Sequence, residues 1–189
     1  MKLIIFLTAA GLMSASAQPG PTKQAPPASI AAKPASTMGT ADKSSPALPT
    51  ILSLEKEMDG RISATGGGDP CQIWGASRGT YVTGMGAIFT AEVELAATPG
   101  AAAMFQTIGP EMKAKILKNK QAHLPLLEQT VREMALSLAA SPALKLADSD
   151  QVVVSVRLWY RPWEDKTGLP GQIVARLDHR GGTVKMEVQ

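Results

Sequence analysis

The clearest pattern in the chain is the alternation of apolar and polar side chains from Phe89 to Leu95. Phe89, Ala91, Val93 and Leu95 fall on one side, and Thr90, Glu92 and Glu94 on the other. Successive strand residues point to opposite faces, so this pattern predicts a half-buried strand whose apolar side needs a cover. The stretch from Arg78 to Leu95 reads as two β segments split by Thr83-Gly84-Met85-Gly86. The same period returns near the C-terminus. Val152, Val154, Val156, Leu158 and Tyr160 share one face; Val153, Ser155, Arg157, Trp159 and Arg161 share the other. Gln172 to Leu177 is the next predicted strand. Thr183 to Val188 can pair back on it across the turn chemistry of Asp178-His179-Arg180-Gly181-Gly182.

Between these β segments the period becomes helical. After an Ala, Thr, Gly and Pro-rich loop from Ala96 to Gly109, Pro110 suits a first helical turn. Leu117, Leu124, Val131 and Leu138 recur every seven residues, joined by Leu127 and Met134, which predicts a stripe packed on the sheet. About three heptads is short for a coiled coil. Pro125 removes one backbone donor and predicts a kink, or two helices meeting near His123. Lys113, Lys115, Lys118 and Lys120 read as the solvated helix face. A shorter helix, capped by Thr50 and ended by Gly60, would carry Ile51, Leu54 and Met58.

Strands, then helices, then strands predict an α+β fold: a largely antiparallel sheet of about four to five strands, covered on one face by one or two helices. The uncovered face would carry Glu92 and Glu94 from one strand and Arg157 and Arg161 from another. Opposite charges predict that these strands are neighbours, with one of the acids paired to one of the arginines.

Composition divides the 189 residues. The first seventeen, MKLIIFLTAAGLMSASA, combine Lys2, an apolar run and an Ala15-Ser16-Ala17 exit, the order of a secretory signal peptide; the run is too short to span a bilayer comfortably. Residues 18–49 are rich in Pro, Ala and Ser with few large apolar side chains, the composition of a disordered linker. Residues 50–189 suit a single α+β domain. The expected location is therefore outside the cytoplasm, periplasmic or secreted, with no membrane span once the signal is removed. The formal net charge of +3 falls to +2 without Lys2, too balanced to argue for nucleic acid. Cys71 is the one cysteine, so no internal disulfide is possible, and its neighbours Asp69, Pro70 and Gln72 favour a small buried group over a reactive thiol.

RGTYVTGMGAIFTAEVEL and VVVSVRLWYRPWEDKTGLPGQIVARL together resemble a recurrent type of exported bacterial protein to which no activity is assigned. The resemblance implies one exported α+β domain behind a linker, and it brings no catalytic residues.

Candidate chemistry is sparse. His123 and His179 are the two histidines, and no HExxH, HxxxH, Cys/His cluster or GxSxG is present, so neither a zinc site nor a serine nucleophile elbow is predicted and no cofactor is expected. Gly66-Gly67-Gly68-Asp69-Pro70 lacks a GK[ST] ending and reads as a turn. Glu92 and Glu94, with Glu164 and Asp165, are the candidate carboxylates; facing water or building a turn is their expected role, and no EF-hand spacing joins them. The loop from Arg161 to Gly171 gathers Arg161, Trp163, Glu164 and Asp165 beside Trp159 and Tyr160, the composition of a contact surface, and these four are the candidate binding residues. The expected function is a tethered, non-catalytic exported module that binds or assists a protein or envelope component. The alternative is a small carboxylate-dependent hydrolase. The two differ in whether Glu92 or Glu94 converges with Glu164 or Asp165 in a concave pocket.

Overall fold

The structure, a computed structural model, describes residues 45–97 and 108–189. The expected signal peptide, most of the expected linker and most of the Ala96–Gly109 loop lie outside the described residues.

Helix α1 spans Leu48–Ala64. It starts two residues before the expected cap. Pro49 occupies the first turn, where its missing N–H costs nothing, and Thr50 lies inside the helix. Ile51, Glu55, Met58 and Ile62 form the buried face. Gly60 does not end the helix. A Cβ there would meet nothing within 4 Å, so the glycine sits on an open side, where helix interiors tolerate it at a cost of about 1 kcal/mol.

Strands β1 (Gln72–Ile73), β2 (Arg78–Val82) and β3 (Gly86–Glu94) follow. β2 and β3 form an antiparallel hairpin, and β1 pairs with the far end of the same β3 edge, Ile73 opposite Val93. Helix α2, Pro110–Ala139, then crosses to β4, Gln151–Leu158, by way of a 3-10 turn at Pro142–Leu144. β4 lies parallel to β3, from Gly86 opposite Gln151 to Val93 opposite Leu158. Parallel neighbours need a long crossover, which α2 supplies. β5 (Gln172–Asp178) and β6 (Val184–Val188) complete the sheet antiparallel to their neighbours, as a hairpin. The fold is α+β: an open, mostly antiparallel mixed sheet with two helices.

The core lies between sheet and helices. Phe89, Val93, Val152, Val154, Val156 and Ile173 face Ile62, Leu127, Val131 and Met134 in one apolar cluster. α2 runs through Pro125 as one continuous helix, not two; the proline costs a single bond to the Gln121 carbonyl, and flanking packing holds the helix together. The buried face of α2 also departs from the leucine repeat. It passes through Ile116, Lys120, His123, Leu127, Val131, Met134 and Leu138, whereas Leu117 and Leu124 are half-buried at its flank. The seven-residue repeat and the core stripe coincide only in the C-terminal half. Among the described residues, no helix is long and apolar enough to cross a membrane.

The side of the sheet opposite Phe89 and Val154 carries polar rows fixed by the strand register. Arg78, Thr90 and Ser155 stand in one row, and Glu92, Arg157 and Gln172 in the next.

Candidate functional site

Arrangements of polar side chains lie both inside the molecule and on the open face.

The inner one sits where β3 ends. Alternation stops there, because Val93, Glu94, Leu95 and Ala96 are all buried. Lys120, on the core stripe of α2, reaches Glu94 Oε1 at 3.4 Å and Glu164 Oε2 at 2.6 Å, and all three side chains are 2 % exposed or less. Two expectations are corrected here. Lys120 is not on the solvated helix face, and Glu94 does not face water: the β4–β5 loop and α2 close over the end of the strand from outside the ladder, so the period of the ladder no longer decides exposure. Tyr160 packs against the same group, its ring centroid 5.3 Å from Lys120 Nζ and 5.6 Å from Lys166 Nζ, and its hydroxyl donates to the Pro170 carbonyl at 2.6 Å. Burial, and then the Glu164 charge, push the phenol above its ordinary range. His123 is also interior, with Nδ1 2.7 Å from the Leu95 carbonyl; Cys71 donates to the same oxygen at 3.4 Å. Both side chains are buried. Burial, and then Asp69, raise the Cys71 thiol to about 11, so it stays protonated at neutral pH.

The outer arrangement is a groove of about 490 Å³ on the open face, lined by Trp74, Arg78, Thr90, Glu92, Ser155, Arg157 and Gln172 among others. The segment after β1 forms its rim, with the Trp74 amide donating to the Glu92 carbonyl. Trp74 stands 41 % exposed. Its ring centroid is 4.5 Å from that of Trp159 at an interplanar angle of 39°, and the Arg161 guanidinium covers Trp159 at 5.2 Å. Arginine, tryptophan and tryptophan thus form one stack beside the groove. On the floor, Arg157 Nη1 donates to Glu92 Oε1 at 3.3 Å, and Gln172 donates to Ser155 at 2.7 Å. The Glu92–Arg157 pair is the cross-strand pairing that the charge pattern predicts.

The four candidate binding residues are distributed differently from one another. Arg161 joins the tryptophan stack; its Nε is covered, without an acceptor among the described residues. Trp163 is half-buried in the loop. Glu164 points inward to Lys120. Asp165 is exposed and closes a local turn, accepting from the Thr167 hydroxyl at 2.7 Å and from its amide at 2.9 Å, bonds that hold its carboxyl below the usual range. Trp74 and Arg78 are the groove residues that the sequence pattern did not single out. Their one signal is position: a tryptophan and an arginine flank the short break ahead of a strand. Among the described residues, no group of three or more His, Cys, Asp and Glu could hold a metal ion. Of the acids of the hydrolase alternative, Glu94 and Glu164 do converge, but on the buried Lys120 and withdrawn from solvent. Glu92 is in the groove with an arginine, and Asp165 is in its turn.

The chain matches no protein-family model, no curated protein and no solved structure.

Proposed function

We propose that the protein is a non-catalytic binding module, exported and tethered by the Pro/Ala/Ser-rich segment ahead of α1, that engages a protein or envelope component through the open face of its sheet. The observation that carries this reading is the Trp74–Trp159–Arg161 stack beside a groove containing Arg78 and Arg157, on the face opposite the apolar core. Tryptophan and arginine dominate the energetics of protein contact surfaces, because each combines large buried area with directed polar groups. A single-sided antiparallel sheet otherwise keeps its outer face plainly polar. The carboxylate distribution weighs against hydrolysis, since acid–base work needs two such groups facing a substrate cavity, and the pair that converges, Glu94 and Glu164, is buried on Lys120.

The test is affinity capture from the exporting cell with the full chain, compared with Trp74→Ala and Arg157→Ala chains of unchanged circular dichroism. A partner retained by the parent chain and lost by both variants supports the reading. A partner retained equally by all three moves binding to another surface. Hydrolytic activity that Glu92→Gln abolishes would favour the enzyme.

A further inference from the structure

Resting on the binding-module reading, we propose that the occupant of the groove is an acidic segment of a protein partner, with a carboxylate directly beside an aromatic or large aliphatic side chain. Charge decides the first half. The groove holds two arginines against one carboxylate, and Arg161 adds a further cation on the stack beside it. Among the described residues Arg157 is only partly satisfied, through a single contact from Nη1 to Glu92, and its side chain is 75 % exposed. Arg78 has no ion pair among the described residues, although it stands at the groove's rim. A guanidinium presents its N–H groups as a fork that fits a carboxylate, so these two positions are preset for acidic groups arriving from solvent.

The tryptophan decides the second half. Trp74 forms an exposed aromatic wall against a polar floor of Thr90, Ser155 and Gln172. A ligand of pure charge would leave that wall wet. One that joins a carboxylate to an apolar group covers both, and adjacent residues of a polypeptide supply that pairing within a few ångströms. Thr90, Ser155 and Gln172 offer both donors and acceptors to a peptide backbone. The floor strands already spend their backbone groups on one another, so the segment lies across the sheet and is read by side chains rather than added as a strand. Nucleic acid fits poorly, since Glu92 stands in the middle of the groove and the whole chain carries a net charge of only +3.

Random-peptide display on the immobilised full chain tests this, repeated on Arg78→Glu and Trp74→Ala chains whose thermal unfolding matches the parent. The expected selection is peptides with Asp or Glu next to Phe, Trp, Tyr or Leu, weakened at least tenfold by Arg78→Glu and by Trp74→Ala, and weakened by added salt. Neutral or basic peptides, acidic peptides indifferent to Arg78→Glu, or no selection above background would each overturn the acidic segment. Affinity capture with the Trp74→Ala chain then shows separately whether the face binds at all. Cosedimentation of the full chain with phosphatidylglycerol vesicles, abolished by Arg78→Glu, would replace the peptide with a membrane surface.

Discussion

Lys120 Nζ lies 2.6 Å from Glu164 Oε2, with both side chains withdrawn from solvent, and this contact fastens the β4–β5 loop to helix α2. Gln121 adds a second tie one residue along, donating to the Thr167 carbonyl at 3.0 Å. The loop carries Arg161, so the interior ion pair helps to set where the outer stack can stand.

Removing the cation from two buried carboxylates is costly, because each then keeps its desolvation penalty without the charge that offset it. Lys120→Met should lower the unfolding free energy by about 3–5 kcal/mol in urea titration. Lys115→Met, at an exposed position on the same helix, should stay within about 0.5 kcal/mol. Equal effects at the two sites would mean that the interior pair is open in solution.

The helix stripe gives a second test. Leu127 is fully buried and Leu124 is only half-buried. Leu127→Ala should cost about 2–5 kcal/mol, and Leu124→Ala less. The reverse order would restore the leucine repeat as the core face. This position also shows what was legible in the chain. β3 and β4 declare themselves through period two, β2 and the β5–β6 hairpin stand where the turn residues bound them, and β1, two residues long, is too short to show a period. The N-terminal half of α2 does not declare its face, because Lys120 and His123 occupy core positions there. Their partners, Glu94, Glu164 and the Leu95 carbonyl, belong to a distant strand and loop. Only the folded arrangement makes a buried lysine tolerable, so no local pattern can reveal it. The groove is hidden for a similar reason. Trp74 and Trp159 are far apart in the chain and meet because β1 and β4 flank the same strand.

Gly86 opens β3 with φ at +113°, opposite Gln151 of the parallel neighbour. A Cβ there would fall 2.0 Å from the Gln151 carbonyl oxygen and 2.6 Å from its amide nitrogen. Backbone cannot step aside without breaking the first rung between β3 and β4. Gly86→Ala should therefore destabilise by more than the ~1–3 kcal/mol of backbone strain alone. Gly60→Ala, with open space around it, should be neutral or stabilising. Chemical denaturation of the two variants gives the comparison directly.

Cys71 links stability to pH. Its thiol ionises near 9.0 when unperturbed and at about 11 in the fold. Between those values the native state keeps a proton that the unfolded chain has lost, so stability is fully present below pH 9 and falls as pH rises toward 11. Cys71→Ala should flatten that part of the pH–stability curve. Alkylation of the native protein at neutral pH should be slow and should accelerate once denaturant is added. Fast native alkylation would place the thiol at the surface.

The Glu92–Arg157 pair separates sheet register from groove chemistry. The two residues are direct partners on parallel strands, 3.3 Å apart, and both are largely exposed. Exposed cross-strand pairs contribute roughly 0.2–1 kcal/mol, since water screens the attraction. Glu92→Arg should destabilise by a similar amount through repulsion from Arg157. Adding Arg157→Glu should restore part of that loss, because the reversed pair recovers opposite charges at the same spacing. The four chains form a double-mutant cycle, and strictly additive effects would show that the pair is not made in solution. The same chains sharpen the ligand question. Arg157→Glu alone leaves two adjacent carboxylates on the groove floor and should abolish capture of an acidic segment. In the reversed pair the total charge of the groove is unchanged, yet the cation has moved to β3. Capture restored along with stability would mean that the ligand reads net charge. Stability restored without capture would mean that it reads the guanidinium at position 157 itself, which a fork held in one place on the sheet predicts.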